Sequence, residues 1–187
     1  TEVHYHFWQD KTVPNTWQKF KDIALYWLEK GVDGFRYDMA EMVPVEFWSY
    51  LNSAIKHHNP EAFLLAEVYN PNEYRPYLYL GKMDYLYDKV QLYDTLRNII
   101  AHGHSTDAIV PIQRELSDIS DRMLHFLENH DEQRIASPEF AGYAEKAKPA
   151  MVVSTLISES PMMVYFGQEV GERAAEWAGF GSPSRTS

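Results

Sequence analysis

The stretch Gly31-Val-Asp-Gly-Phe-Arg-Tyr-Asp38 is a short apolar run that ends in a carboxylate. The stretches Phe63-Leu-Leu-Ala-Glu67 and Met123-Leu-His-Phe-Leu-Glu-Asn-His-Asp131 have the same form. A strand buried on both faces reads as nearly continuous apolar sequence, and in parallel barrels the active site lies at the carboxyl ends of the strands. Carboxylates at the ends of several predicted strands therefore indicate a catalytic site.

Helical patterns separate these predicted strands along the chain. Helices are predicted at 17–30, 44–55, 89–101 and 142–158, with Asn15 or Thr16 as the N-cap of the first and Gly31 as its stop. Strands are predicted at 32–37, 62–66, 83–87, 122–127 and 162–166. Such alternation predicts a parallel sheet wrapped by helices.

Two architectures share this pattern, an open doubly wound sheet and a closed (β/α)8 barrel. Neither G-x-G-x-x-G nor G-x-x-x-x-G-K-[ST] occurs in the sequence, which disfavours a dinucleotide-binding or phosphate-binding sheet. Functional carboxylates at the ends of several strands favour the barrel, although about five predicted strands are fewer than eight. We therefore expect one domain over residues 1–187, an α/β fold that forms part of a (β/α)8 TIM barrel.

Composition narrows the function classes. The 187 residues include 17 Lys and Arg against 27 Asp and Glu, and the basic residues are dispersed, so nucleic acid is not an expected partner. No apolar stretch approaches the roughly 20 residues that a membrane span needs. Cysteine is absent, which excludes disulfides and thiol chemistry and leaves the compartment open.

The residues themselves indicate chemical roles. Arg36 and Asp38 are two apart on one strand, so they share a face, and the cation favours the ionised form of Asp38. If the strands that end at Asp38 and Glu67 are neighbours, their backbones lie about 4.8 Å apart. The carboxylates are then near the roughly 5 to 5.5 Å separation of retaining glycosidases. The apolar setting of Glu67 suits a proton donor, so Asp38 is expected to attack and Glu67 to donate.

Four segments together resemble the alpha-amylase family of glycoside hydrolases. They are Gly34-Phe-Arg-Tyr-Asp38 followed by Pro44, the strand ending at Glu67, Asn129-His-Asp131, and Val164-Tyr-Phe-Gly-Gln-Glu169. The resemblance implies a retaining hydrolase of starch-like α-glucans or maltooligosaccharides. It implies Asp38 as nucleophile, Glu67 as acid/base and Asp131 as a third carboxylate that binds sugar hydroxyls and stabilises the transition state. Arg36 would position the nucleophile, and His130 would contact the sugar.

Departures from the family pattern shape further expectations. The first family motif, an Asp followed by an Asn-His pair, is absent from residues 1–16, and the chain starts at Thr1 rather than Met. We therefore expect a fragment holding approximately strands four to eight, whose exposed sheet edges invite self-association. The subdomain that usually helps form a calcium site is absent too, so no cofactor or metal is expected.

Two positions beside the expected catalytic residues bear on substrate preference. Glu41-Met42 stands where many alpha-amylases carry Lys-His, which puts substrate and leaving-group preference in question and makes both residues candidate substrate contacts. Tyr69, just past Glu67, is a candidate platform for a sugar.

Other interpretations stay open. Asp131 and Asn129 are also typical helix caps, and Glu67 would suit a salt bridge. His57-His58 and His102-Gly-His104 fall at predicted helix ends and are expected at the surface. Carboxylates at barrel strand ends also hold divalent metals for enolate chemistry, which Arg36 disfavours. A fragment that binds oligosaccharide weakly, or not at all, is the remaining alternative.

Overall fold

The computed structural model describes residues 12–173. The chain divides into two compact units, Thr1–Leu86 and Tyr87–Ser187. The strands are β1 (Gly34–Tyr37), β2 (Phe63–Ala66), β3 (Tyr85–Tyr87), β4 (Met123–Phe126) and β5 (Met162–Met163). The register pairs of β1 with β2, β2 with β3, and β4 with β5 are parallel.

The described residues form six α-helices. They are α1 (Asn15–Glu29), α2 (Val45–His58), α3 (Tyr74–Tyr79), α4 (Asp94–His102), α5 (Ile109–Glu115) and α6 (Ala144–Leu156). None of the helices described has the length and apolar character that a membrane crossing needs.

The predicted helix boundaries hold closely in the first unit. Pro14, rather than Asn15 or Thr16, occupies the N-cap of α1, and no side chain caps that helix, so the predicted cap is wrong. Gly31 ends the helix as predicted, because its φ of 93° lies in the left-handed region that glycine adopts without strain. Pro44 is the N-cap of α2.

The first unit packs α2 against the sheet. Ile55 of α2 and Leu64 of β2 are fully buried, and Trp48 packs on the ring of Tyr37, with ring centroids 4.5 Å apart. The Tyr37 hydroxyl donates to Asn52 of α2 at 2.7 Å. Tyr37 therefore faces the helices, as its parity relative to Asp38 predicts.

One close backbone approach sets the spacing of β1 and β2. A Cβ added to Gly34 would lie 1.9 Å from the carbonyl oxygen of Phe63. Gly34 pairs with Phe63 in the parallel register, and the register continues to Tyr37 and Ala66. The absent side chain of Gly34 thus lets the two strands that carry the candidate site come together.

The second unit begins with the last residue of β3 and differs more from the predictions. The chain after β3 forms a π-helical segment, Lys89–Tyr93, before α4, where one continuous helix was predicted. Strand β5 has two residues, whereas five were predicted. Helix α5 was not predicted, and neither was α3 of the first unit, because their short patterns include Pro111 and Pro76, which sequence reasoning treats as breakers.

The core of the second unit surrounds β4. All four residues of β4 are buried, and Phe126 stacks on Tyr93 with centroids 4.9 Å apart. The backbone N–H of Asp88, just past β3, donates to Leu124 of β4 at 2.9 Å. Ala147 and Ala150 of α6 are buried.

Candidate active site

Arg36 contacts two carboxylates at the ends of β1 and β2. Its Nη1 lies 2.6 Å from Asp38 Oδ1, and its Nη2 lies 3.3 Å from Glu67 Oε1. Strand register explains the meeting, because Tyr37 pairs with Ala66 and the next residues along the two strands are Asp38 and Glu67. One guanidinium thus contacts both carboxylates on one side of the sheet. Arg36 and Asp38 share a face, as their spacing predicts, whereas the contact of Arg36 with Glu67 was not predicted.

The two carboxylates have different surroundings. The side chain of Glu67 is 5% exposed, whereas that of Asp38 is 72% exposed. Glu67 is therefore removed from water while Asp38 is open to an incoming molecule. This asymmetry fits the predicted division of roles, with a shielded proton donor beside an accessible nucleophile.

Both oxygens of Glu67 have hydrogen-bond donors. The backbone N–H of Met39 donates to Oε2 at 2.9 Å, and the hydroxyl of Tyr69 donates to Oε1 at 2.5 Å. With Arg36 nearby, the Glu67 carboxyl has a defined orientation although it is buried. A buried charged group is tolerated when it is paired and hydrogen-bonded in this way.

The backbone at Met39 is unusual. Met39 has φ 44° and ψ 41°, a left-handed conformation that few residues other than glycine adopt. This conformation directs the N–H of Met39 at Glu67, and the next residue, Ala40, donates its N–H to the carbonyl of Glu67 at 2.9 Å. Strained backbone of this kind persists where the surroundings hold it, as at ligand and active sites.

Glu41 and Met42, the two candidate substrate contacts after β1, lie in a 3-10 turn, Ala40–Met42. Glu41 Oε2 accepts hydrogen bonds from the backbone N–H groups of Tyr69 and Asn70, at 3.1 and 2.9 Å. Met42 is 72% exposed. A substrate contact by either residue, or by Tyr69, stays a prediction.

Tyr77 braces the same turn. Its hydroxyl lies 3.1 Å from the carbonyl oxygen of Glu41 and 2.8 Å from that of Val43. Burial, together with the neighbouring carboxylates of Glu73 and Glu41, raises the pKa of Tyr77 to about 12. The hydroxyl therefore keeps its proton and remains a donor at neutral pH.

Asp131 and His130 lie in the second unit, after β4. His130 Nε2 is 3.2 Å from Asp131 Oδ2, and both side chains are exposed. Asn129 is buried, and its Oδ1 accepts from the N–H groups of Asp131 and Glu132 at 2.8 and 2.7 Å. No helix follows within residues 130–143, so the capping role considered for Asn129 and Asp131 is wrong, and Asn129 instead holds a turn of the loop. The roles of Asp131 and His130 as sugar contacts stay predictions.

A polar cluster holds the residue next to Asp131. Lys89 Nζ lies 3.1 Å from Glu132 Oε1 and 2.7 Å from Asp94 Oδ1. The Tyr93 hydroxyl donates to Glu132 Oε2 at 3.0 Å, and burial raises the pKa of Tyr93. The π-helical segment that contains Lys89 and Tyr93 thus supports the loop that carries Asp131.

A buried ion pair ties that loop to the chain after β5. Arg134 Nη1 donates to Glu128 Oε2 at 2.8 Å and to the carbonyl of Phe166 at 2.6 Å. The N–H of Ile135 donates to Glu128 Oε1 at 2.8 Å. Burial raises the pKa of the Glu128 carboxyl, and the Arg134 hydrogen bond opposes that effect.

Sequence reasoning missed several of these contributors. The donor from Met39 to Glu67 is a backbone N–H, so the residue type at position 39 gives no sign of it. Glu128 and Arg134 are ordinary charged residues in the sequence, and their pairing depends on a loop that folds back. Glu132 was not predicted either, although it lies next to Asp131 in the sequence.

The histidine pairs lie as predicted. His57 and His58 are exposed at the end of α2, and His102 and His104 are exposed at the end of α4. Among residues 12–173, no group of three or more His, Cys, Asp or Glu side chains is arranged to hold a metal ion.

The family model for the alpha-amylase catalytic domain matches residues 7–180. This chain belongs to the alpha-amylase family. The family hypothesis drawn from four short segments is therefore confirmed. The last residues of the predicted resemblance, 174–187, lie outside the described residues.

Relatives in this family cover most of the chain. Over 171 residues the chain is 30% identical to Alpha-amylase 3 of Dictyoglomus thermophilum, and the match covers 84% of the chain and 33% of that protein. It is 26% identical over 163 residues to Neopullulanase 2 of Thermoactinomyces vulgaris, covering 82% of the chain and 26% of that protein. The chain thus spans about a third or less of the length of these relatives.

Solved structures share the fold. The ligand-free cyclic alpha-maltosyl-(1→6)-maltose hydrolase from Arthrobacter globiformis matches with a TM-score of 0.78 at 24% identity, covering 94% of the chain and 40% of that structure. The same hydrolase in complex with maltose matches with a TM-score of 0.75 at 25% identity, covering 87% of the chain and 37% of that structure. The predicted partial (β/α)8 barrel is confirmed.

Proposed function

We propose that this chain carries the nucleophile and the acid/base of a retaining glycosidase that cleaves α-glucosidic bonds of starch-like glucans or maltooligosaccharides. The observation that carries the proposal is the contact of one guanidinium, that of Arg36, with Asp38 at 2.6 Å and with Glu67 at 3.3 Å. A pair of carboxylates that flank one bond is the common requirement of glycoside hydrolysis.

In the first half of the reaction, Asp38 attacks the anomeric carbon and forms a covalent glycosyl ester. Glu67 donates its proton to the leaving glycosidic oxygen as that bond breaks. In the second half, Glu67 accepts a proton from water, the water oxygen attacks the anomeric carbon, and the ester bond to Asp38 breaks. The exposure of Asp38 and the burial of Glu67 support these assignments.

Arg36 stabilises the ionised form of Asp38 before attack. Its Nη1 contact is the shorter of its two carboxylate contacts, so the favoured anion is the nucleophile. Asp131 and His130 enter the proposal as sugar contacts on the family resemblance, and no step is assigned to a metal.

The substrate class rests on the relatives. Alpha-amylase 3 and Neopullulanase 2 are among them, and the hydrolase from Arthrobacter globiformis is solved in complexes with maltose and with cyclic alpha-maltosyl-(1→6)-maltose. We propose an α-linked glucose oligomer as the ligand of this chain for that reason.

Covalent trapping tests the mechanism. Incubation of the chain with a 5-fluoro-α-glucosyl or 5-fluoro-α-maltosyl fluoride, followed by peptide mass spectrometry, is expected to place one sugar on the peptide that contains Asp38. Asp38→Asn should abolish labelling. Glu67→Gln should slow the hydrolysis of oligosaccharides most for poor leaving groups.

Two outcomes contradict the proposal. Labelling at another carboxylate would remove Asp38 from the nucleophile role, and full activity of either variant would remove the role of the substituted residue. Binding of maltooligosaccharides by calorimetry, without label or turnover, would instead support the alternative of a chain that only binds sugar.

A further inference from the structure

Two hydrogen-bond donors reach Glu67, one with a constant role and one with a reversible role, and Arg36 Nη2 lies 3.3 Å from Oε1. The backbone N–H of Met39 only donates, so Oε2 remains an acceptor throughout a reaction cycle. A tyrosine hydroxyl both donates and accepts, and that of Tyr69 lies 2.5 Å from Oε1. Tyr69 therefore suits the oxygen that alternates between the ionised and the protonated form.

We infer that Tyr69 and Glu41 are positioning residues for the acid/base Glu67, an inference that rests on the proposed function. Tyr69 orients the carboxyl, and Glu41 holds the backbone that carries Tyr69. Neither residue needs to touch the sugar for this role. The inference assigns these two side chains a different use from the substrate contacts that the sequence suggests.

The position of Tyr69 depends on loop backbone, because β2 ends at Ala66 and Tyr69 lies beyond the strand. Glu41 Oε2 accepts the N–H groups of both Tyr69 and Asn70, at 3.1 and 2.9 Å. A carboxylate that accepts two backbone N–H groups makes charge-assisted hydrogen bonds, which are stronger than neutral ones. The Glu41 carboxylate therefore fixes the loop at the residue where the orientation of the Tyr69 ring is decided.

Glu41 is itself held in place. The Tyr77 hydroxyl lies 3.1 Å from the Glu41 carbonyl, and the N–H of Ala40 donates to the carbonyl of Glu67 at 2.9 Å. The loop after β1 and the loop after β2 are thus joined on both sides of Glu67. A lysine at position 41 has donors only, so this link requires an acceptor such as the glutamate found here.

The two possible roles of Tyr69, to position the acid or to bind the sugar, predict different dependences of kcat/KM on the leaving group. Fluoride leaves without protonation, whereas the glycosidic oxygen of maltotriose needs a proton. Tyr69→Phe is expected to lower kcat/KM for maltotriose by about tenfold to a hundredfold, within the range of general acid catalysis. It should leave kcat/KM for α-maltosyl fluoride within about twofold, as general acid catalysis assists only the leaving group that needs the proton. Tyr143→Phe, an exposed tyrosine in the second unit, is the matched control.

Glu41 is tested by conservative rescue. Glutamine keeps a carbonyl acceptor at this position, whereas alanine removes it. Glu41→Ala is therefore expected to reproduce the selective loss on maltotriose, and Glu41→Gln to recover most of the activity. Glu61→Ala, at an exposed glutamate after α2, is the control.

Amide hydrogen exchange gives a readout that needs no turnover. In the whole chain, Glu41→Ala should speed exchange of the Tyr69 and Asn70 amides by about tenfold or more, with the amides of β2 unchanged. Unchanged exchange at Tyr69 and Asn70 would overturn the role of Glu41. If Tyr69→Phe lowers kcat/KM equally for maltotriose and maltosyl fluoride, or lowers it for neither, the role of Tyr69 is overturned.

Failure of the proposed function has a different signature. If the unsubstituted chain releases no fluoride from maltosyl fluoride, the hydrolase proposal fails, and with it the assignment of Tyr69 to an acid/base. The exchange experiment then still decides whether Glu41 holds the loop, because it measures two backbone hydrogen bonds directly.

Discussion

Asp88 is a buried carboxylate whose replacement by asparagine should stabilise the protein. It is 1% exposed, and its Oδ1 accepts the N–H of Leu92 at 2.8 Å. Its Oδ2 has no hydrogen bond within residues 12–173 and lies 3.7 Å from His125 Nε2. His125 Nδ1 faces the Ser154 carbonyl at 2.8 Å, so Nδ1 carries the proton and the neutral ring turns its acceptor toward Asp88.

The expected gain follows from the pKa of Asp88. Burial is the main cause that raises this pKa from 3.8 to about 6. Because each unit is about 1.36 kcal/mol, the charged form costs the folded state about 3 kcal/mol at pH 8. Asparagine keeps the acceptor for Leu92 and adds a donor for His125, but it loses about 0.5 kcal/mol of charge interaction with the following helical N-terminus. Asp88→Asn should therefore be about 2.5 kcal/mol more stable at pH 8.

The stability gained in Asp88→Asn should increase with pH. The folded-state pKa of Asp88 is above the unfolded value, so the protonated group contributes stability that is complete below pH 3.8 and is lost as pH rises through about 6. The advantage of the variant should thus be largest above pH 7 and shrink toward pH 4. Burial also lowers the pKa of His125, which costs both proteins stability as pH falls.

Urea unfolding followed by tryptophan fluorescence between pH 8 and pH 4.5 measures the difference. Asp121→Asn, at an exposed aspartate, is the control and should change the free energy of unfolding by less than about 0.5 kcal/mol. A variant that is less stable than the parent at pH 8, or a difference independent of pH, would refute the reasoning.

Three further predictions concern stability. Gly34→Ala should destabilise the chain by about 1–3 kcal/mol or more in urea unfolding, since the added Cβ would collide with the backbone of Phe63. This loss of stability should be larger than that of Gly31→Ala, because Gly31 has a positive φ but open space around the position of a Cβ. Arg134→Met should lower the free energy of unfolding by about 3–5 kcal/mol, because it leaves the buried carboxylate of Glu128 without its partner. Adding Glu128→Gln should restore the lost stability. The loss should also be smaller toward pH 4.5, because the raised pKa of Glu128 lets the carboxylate take up a proton. Met39→Val should lower the free energy of unfolding, measured by calorimetry, by about 1–2 kcal/mol, whereas Met39→Gly should leave it nearly unchanged, because only valine adds a β-branched side chain at φ 44°. Equal effects of the two variants in any of these comparisons would contradict the structural argument.

Local pattern carried the sequence prediction where it was right. The apolar spacing of α1 and α2 predicts both helices, and the alternation along β1 predicts that Arg36 and Asp38 share a face while Tyr37 points at the helices. Each of these statements involves residues within one helix or one strand. Short-range periodicity is enough to decide them.

Local pattern failed where neighbours in space decide the conformation. The N-cap of α1 is Pro14, and the segment Lys89–Tyr93 is π-helical with the Asp88 side chain at its start. Strand β5 is short because only Met162 and Met163 pair with β4, although the apolar run continues. Pairing partners and buried caps are properties of the fold, and the apolar letters do not encode their extent.

The sequence by itself determined the family, the order of the five described strands, and the residues that carry charge at the strand ends. Only the tertiary structure decided how Glu67 is held, because its donors are a backbone N–H at Met39 and the hydroxyl of Tyr69. The same is true of Glu41, whose Oε2 accepts the N–H groups of residues 28 and 29 positions further along the chain. Residue types and their spacing are readable along one chain, whereas hydrogen-bond geometry between loops exists only once parallel strands place those loops side by side.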